Sequence, residues 1–348
     1  MVKLLTLLAA AFAAVTVAAL NALNQFAEIG PDKMGRCVPV TGIVGPEDLQ
    51  VDPIKRRLFV ASLDKRAGRG ARGSVHVIDI DDPLASAGWH DRTGGFPKEL
   101  QPVGLHYYEG EGVRRLFVVN DAAKSIEAYD VADDGELSHV ETFKERRLTS
   151  PNDVVAVGAR DFYVTNDASA GRASLIGRLQ FLGRAPSGSL LHFNGVAWSL
   201  VDEGLRFANG VAVSPDGRSL VVAESAAMTV RLYERDPQTG VARATAVAEL
   251  PGSGDNLNVA ANGALLVAAN PKPLSIALHR RTAEATSPSM ILRSTDPFWS
   301  AQSPPDFETV FQSDGEVLSA ATAADFLGGS LFIGALADDR FLICAPAS

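Results

Sequence analysis

The chain has 348 residues, a formal net charge of −9, 46 % hydrophobic residues, 31 glycines and 19 prolines. This length allows one large domain or two ordinary ones, and the glycine and proline counts imply many turns. No basic stripe interrupts the acidic composition, which sets nucleic-acid binding aside, while an acidic surface favours cations.

The chain opens on MVKLLTLLAAAFAAVTVAAL, a single lysine followed by an apolar run to Leu20. This pattern predicts a signal peptide or, if retained, an N-terminal anchor over residues 1–30, with a buried core helix as the alternative. The mature protein is then expected to be secreted or extracytoplasmic, with possible membrane association through the apolar segment. No second apolar run reaches spanning length. The two cysteines lie at opposite ends, Cys37 and Cys344. In an oxidising compartment they would form a disulfide joining the two ends of the domain, and two unrelated free thiols are the alternative.

Between the cysteines one unit recurs. PEDLQVDPIKRRLFVASLD starts at Pro46, PVGLHYYEGEGVRRLFVVND at Pro102 and PNDVVAVGARDFYVTND at Pro151. FANGVAVSPDGRSLVVAES follows from Phe207, GDNLNVAANGALLVAANP from Gly254, and a weaker copy, VLSAATAADFLGGSLFIGAL, from Val317. Each copy holds a polar or small pair, an alternating apolar run, a turn and a second apolar run. Asp-Gly and Asn-Gly mark several of the turns. Further strand candidates lie between copies, such as SVHVIDI at Ser74, SIEAYDV at Ser125, SLLHFN at Ser189 and TVRLYER at Thr229. A repeat of roughly 50 residues with about four short strands is one propeller blade. The expected fold is all-β: a six-bladed β-propeller over residues 37–345, its ring closed by Cys37 and Cys344.

The polar pairs align in register. Their first position is Glu47, Val103, Asn152, Asn209 and Asp255, and their second Asp48, Gly104, Asp153, Gly210 and Asn256. At the start of innermost strands, Glu47, Asn152, Asn209, Asp255 and Asn256 would converge on the channel axis. Carboxylates and amides without sulfur or imidazole select calcium. Strict strand alternation would turn Asp48 and Asp153 away from their neighbours, toward a second cation deeper in the channel. For any one copy, a turn residue satisfied by its own backbone is the simpler reading. The shared register favours the ligand reading.

These segments, GPEDLQVDP, SPNDVVAVG with TND, FANGVAVSPDG and DNLNV, together with the terminal cysteines, resemble the paraoxonase/arylesterase family in order and over nearly the whole chain. The resemblance implies a calcium-dependent propeller lactonase or arylesterase, a carboxylic ester hydrolase acting on small-molecule lactones or esters. It implies a catalytic calcium on Glu47, Asn152, Asn209, Asp255 and Asn256. It also implies a structural calcium on Asp48, Asp153 and the main-chain carbonyl of Leu105. The family's histidines are absent: Val103, Asp121, Ala168 and Asn270 stand near the positions expected for them. His106 lies three residues past Val103, on the opposite strand face and about 10 Å along.

Without those histidines the candidate catalytic bases are Asp121 and Asp167, expected at strand ends near the channel mouth, with strand-end caps as the alternative; a ligand carboxylate such as Glu47 or Asp255 could also serve. The histidines at 76, 90, 106, 139, 192 and 279 show no metal-ligand spacing. The basic stretch DKRAGRGARG at Asp64 is expected to be a mobile loop rather than a binding site. Specificity is expected in the loops Asp64 to Arg72, Ala168 to Gly183 and Ser287 to Pro305. Two other functions compete: a catalytically inactive, calcium-stabilised binding propeller, and an enzyme like the gluconolactonase and strictosidine-synthase-like propellers.

Overall fold

The computed structural model describes residues 2–30, 32–33, 35–68, 70–84, 90–296 and 305–345. Residue 69 and residues 297–304, which belong to two of the expected specificity loops, lie outside the described residues. Helix α1 (Val2–Ala22) precedes strand β1 (Arg36–Thr41). Among the described residues no helix is long and apolar enough to cross a membrane.

Six sheets follow the repeat. Blade 1 contains β2 (Pro46–Asp52), β3 (Arg57–Ser62) and β4 (Ser74–Asp79). Blade 2 contains β5 (Pro102–Gly110), β6 (Val113–Asn120), β7 (Ser125–Val131) and β8 (Leu137–Lys144). Blade 3 contains β9 (Pro151–Ala156), β10 (Asp161–Asn166), β11 (Gly188–Asn194) and β12 (Trp198–Leu205), with helix α2 (Leu175–Leu182) between β10 and β11. Blade 4 contains β13 (Ala208–Val213), β14 (Ser219–Glu224), β15 (Thr229–Arg235) and β16 (Ala242–Glu249). Blade 5 contains β17 (Ser253–Val259), β18 (Leu265–Asn270), helix α3 (Pro273–His279), β19 (Ser289–Ser294) and β20 (Glu308–Ser313). Blade 6 contains β21 (Ala321–Leu327), β22 (Ser330–Ala335) and β23 (Arg340–Ala345), completed by β1 from the other end of the chain.

The burial of each strand follows its distance from the axis. The innermost β9 is buried at every residue, whereas the outermost β8 and β16 are mostly exposed or half-buried. An inner strand is covered by blades on both faces, and an outer strand has one face in water. Apolar side chains gather between neighbouring blades. Phe59, Leu105 and Tyr129 pack between blades 1 and 2, and Phe117, Phe162 and Phe193 between blades 2 and 3. Tyr163, Leu190 and Tyr233 fill the next interface, and Leu49, Phe332 and Phe341 the one between blades 6 and 1. The core is therefore a ring of inter-blade seams, and it stays intact only while the ring is closed.

Closure comes from β1 lying antiparallel to β23, with Cys37 opposite Cys344 in register. The two cysteines are disulfide-bonded across a sequence separation of 307 residues. In the chain-entropy account a loop this long adds about 5 kcal/mol. Replacing both cysteines by serine is expected to lower the unfolding free energy by up to about 5 kcal/mol. Urea unfolding followed by circular dichroism checks this. An unchanged midpoint would mean that the β1–β23 ladder closes the ring unaided.

Candidate functional site

Every innermost strand carries a register irregularity at the repeated polar pair. The shifts fall between Pro46 and Asp48, Pro102 and Leu105, Ala208 and Val211, Gly254 and Leu257, and Ala321 and Ala323. In blade 3 the shift is between Val164 and Asn166, opposite Asn152 and Asp153. A bulge re-aims the side chains around it. Strict alternation therefore does not hold where the polar pairs lie. The sixth copy is bulged in the same way at Thr322, a position the sequence comparison left out.

Several side-chain oxygens here are buried without a donor: Oδ1 of Asn209, Asn256 and Asn270, and Oγ1 of Thr322. Each amide is held by its other end. Asn209 Nδ2 donates to Ser225 Oγ at 3.0 Å, Asn256 Nδ2 to the Glu47 carbonyl at 3.2 Å, and Asn270 Nδ2 to the Ala321 carbonyl at 3.2 Å. Asn152 Nδ2 donates to Asp167 Oδ2 at 3.1 Å. A buried acceptor left unpaired costs about 1–3 kcal/mol. A set of such oxygens facing acidic neighbours is what an oxygen-seeking cation would satisfy. Asp255 opens onto the channel but is surrounded by protein. Burial first, then the nearby charge of Glu47, pushes its carboxyl up to about 7. Among the described residues no three His, Cys, Asp or Glu side chains gather closely enough to hold a metal by themselves, so the amide oxygens are essential to any such site.

The second positions behave differently. Asp48 accepts N–H groups from Leu49 at 2.8 Å and from Leu105, in the next blade, at 2.7 Å. Asp153 accepts from Val154 at 2.8 Å and from Val211, in the next blade, at 2.8 Å. Asp325 repeats the arrangement from blade 6 to blade 1, accepting from Phe326 and Val51, both at 2.7 Å. Glycine alternates with these acids for a steric reason. A Cβ on Gly104 would come within 2.3 Å of Asp153 Oδ1, and one on Gly210 within 2.6 Å of the Asp255 carbonyl. Burial, then the charge of Asp153, raises Asp48 well above the usual carboxylate range. Burial raises Asp153 to about 8 and Asp325 to about 7. Among the described residues neither Asp48 nor Asp153 has a cationic partner. Two buried, mutually repelling carboxylates fit a dication between them. Leu105, expected to offer its carbonyl, is tied to Asp48 through its N–H.

The expected bases flank a cation that the sequence reading missed. Asp167 is fully buried, directly after β10, and its Oδ2 lies 2.8 Å from Arg172 Nε. Burial raises its carboxyl although Arg172 opposes the shift. Asp121 follows β6 and pairs with Lys124 at 2.5 Å and with Arg172 at 3.3 Å. Burial pushes Asp121 up, but the charges of Arg172 and Lys124 outweigh it and hold the carboxyl below its ordinary value. His106 is half-buried: its Nδ1 accepts the Ala156 N–H at 3.3 Å, and desolvation by the surrounding protein lowers it to about 4.

The basic loop requires a correction. Its Lys65, only 6 % exposed at the side chain, forms an ion pair with Glu47, and Arg66 donates to the carbonyls of Ala337 and His279. The loop expected to be mobile thus places a cation on an expected ligand. Lys65 and Arg172 lie in segments without periodic pattern, so nothing in the sequence signalled them. Thr322 could have been found by extending the alignment to the sixth copy.

The arylesterase family model matches residues 50–345. Human serum paraoxonase/arylesterase 1 is 28 % identical over 90 % of this chain and 89 % of its own. Rabbit (Oryctolagus cuniculus) serum paraoxonase/lactonase 3 is 27 % identical over 96 % of both chains. Among solved structures, regucalcin from Agrobacterium tumefaciens, titled a calcium-binding protein, superposes with a TM-score of 0.56 at 14 % identity over 90 % of this chain and 94 % of that one. A gluconolactonase from Xanthomonas campestris gives a TM-score of 0.53 at 14 % identity over 92 % and 99 %. The structural likenesses carry the propeller fold.

The raised carboxyls make a prediction about pH. Asp48, Asp153 and Asp325 keep protons in the folded state that the unfolded chain releases near pH 4. Their stabilising effect is fully present below that value and is lost as pH rises through the folded values. In chelator, the unfolding free energy is expected to fall between about pH 5 and pH 7, by at most about 1.4 kcal/mol per pH unit for each carboxyl. Urea titrations at several pH values measure the slope, which Asp325→Asn should reduce. An identical slope in that variant would contradict the assignment.

Proposed function

This chain belongs to the arylesterase family, and on that premise we propose that it is a calcium-dependent hydrolase of lactones or of aryl and other carboxylic esters. The observation carrying this reading is the set of buried amide oxygens without donors, together with the buried carboxylates Asp255, Asp48 and Asp153. Relatives named arylesterase and lactonase support the reaction class. The calcium-binding title of the regucalcin neighbour supports the ion. In this reading Glu47, Asn152, Asn209, Asp255 and Asn256 hold one calcium, and Asp48, Asp153 and the Leu105 carbonyl hold a second.

Bound calcium would supply Lewis-acid polarisation of an acyl oxygen. The chain's own residues do the rest. Asp121, kept ionised by Arg172 and Lys124, is the carboxylate that takes a proton from attacking water; its depressed pKa makes it a modest base. Asp167, sealed from solvent, positions Asn152 and Arg172. Lys65 neutralises Glu47 and narrows access to the ring. The proposal includes an extracytoplasmic location, which the Cys37–Cys344 disulfide supports. The apolar segment 1–30 is there a cleaved signal or a retained anchor.

A second reading, a binding propeller without activity, is favoured by the absence of imidazole from the ring and by the engagement of both expected bases with Arg172. One experiment separates the two. Purified protein is assayed on a panel of aliphatic lactones, a sugar lactone and aryl esters with calcium, with chelator and with calcium restored. Turnover that disappears and returns with calcium is expected. Asp255→Ala is expected to reduce kcat/KM by about 100-fold or more, the scale of losing an electrostatic element of a hydrolytic site. Full activity in Asp255→Ala would reject the catalytic ion. Thermal stabilisation by calcium without turnover on any substrate would leave the binding propeller.

A further inference from the structure

The guanidinium of Arg172 is fastened on two of its three edges. Nε lies 2.8 Å from Asp167 Oδ2 as an ion pair and donates to Ser150 Oγ at 3.2 Å. Nη2 donates to Asp121 Oδ1 at 3.3 Å and to the carbonyl of Pro151, the residue before Asn152. The backbone N–H of Arg172 also donates to Ser150 Oγ, at 3.2 Å. Among the described residues Nη1 makes no hydrogen bond, although the side chain is only 16 % exposed. The group feels the charges of Glu47 and Asp255, and Lys65 feels its charge in turn, so it lies within electrostatic reach of the oxygen ring. An arginine held between two carboxylates, with one nitrogen left over and within electrostatic reach of Glu47 and Asp255, is a preorganised hydrogen-bond donor.

We propose that Arg172 is a substrate-binding residue whose Nη1 edge receives the acyl oxygen of an uncharged ester or lactone. A neutral acyl group suits the place better than a carboxylate, because the charge of Arg172 is already matched by Asp121 and Asp167. As the oxygen of water bonds to the acyl carbon, the carbonyl π pair moves onto the acyl oxygen, and the released proton goes to a carboxylate. Arg172 keeps its own protons throughout and holds that oxygen as its charge develops. The adjacent carboxylates keep the guanidinium in place, so no reorganisation is needed at that moment. The inference rests on the hydrolase reading for its chemistry, but its binding part is tested without turnover.

The probe is δ-valerolactam, a lactone isostere that resists hydrolysis, followed by ligand-observed NMR on the full chain with calcium present. Parallel kinetics use δ-valerolactone. In a folded Arg172→Met variant, lactam affinity is expected to fall about tenfold and kcat/KM about 100-fold to 1,000-fold, mostly in kcat, as for loss of one oxyanion donor. Millimolar guanidinium should restore part of the rate, and Arg172→Lys should fall between the two proteins. Unchanged lactam binding in folded Arg172→Met overturns the proposal. If that variant does not fold, Arg172→Lys decides: wild-type affinity and kcat/KM overturn the proposal, and loss of both supports it. A wild-type protein that binds no lactam also overturns it. Arg172-dependent lactam binding without turnover of any lactone or ester supports this inference while rejecting the hydrolase.

Discussion

A buried carboxylate that accepts N–H groups from two blades at once organises the axis of this molecule. Asp48, Asp153 and Asp325 each bind the amide following them and an amide of the next blade. These bonds connect blades 1 and 2, 3 and 4, and 6 and 1. They also concentrate negative charge where water cannot reach, which is unfavourable unless a proton or cation compensates. Blade pairing and the concentration of buried carboxylates are thus two consequences of one arrangement.

The bulges extend that logic to the upper ring. A regular strand would give one side chain in two to the channel, and the bulged pair allows re-aiming without lengthening the strand. Glu47, Asn209, Asp255, Asn256 and Thr322 occupy these sites, with Asn270 nearby on the adjoining strand. The amide N–H groups of Asn209, Asn256 and Asn270 are engaged by Ser225 and by the carbonyls of Glu47 and Ala321, while their oxygens have no donor.

The chain's departure from its family lies in the charge around this ring. The resemblance calls for imidazoles near Val103, Asp121, Ala168 and Asn270; the cationic groups the structure brings to this region are instead a guanidinium paired with Asp121 and Asp167 and an ammonium on Glu47. Imidazole can exchange a proton near neutral pH, whereas guanidinium cannot. Any chemistry here must therefore separate the group that takes a proton from the group that holds charge. In the proposed reading Asp121 and Arg172, paired at 3.3 Å, divide those roles.

The propeller was legible in the sequence because each blade repeats the same local pattern: a two-residue period, a turn and a second apolar run. The closing disulfide was legible from the positions of Cys37 and Cys344 at the ends of the repeats. The register of Glu47, Asn152, Asn209 and Asp255 was equally visible, since equivalent positions on blades must face one axis. The bulges were not, because a polar pair at the start of a strand has the same composition whether or not it carries an extra residue. Lys65 and Arg172 were hidden for a different reason. They stand in irregular segments whose paths are set by distant anchors, Ala337 and His279 for one and Ser150 and Pro151 for the other. Periodic local interactions determined the blades from sequence alone; which cations meet the carboxylates at the channel mouth was decided only by tertiary contacts between segments far apart in the chain.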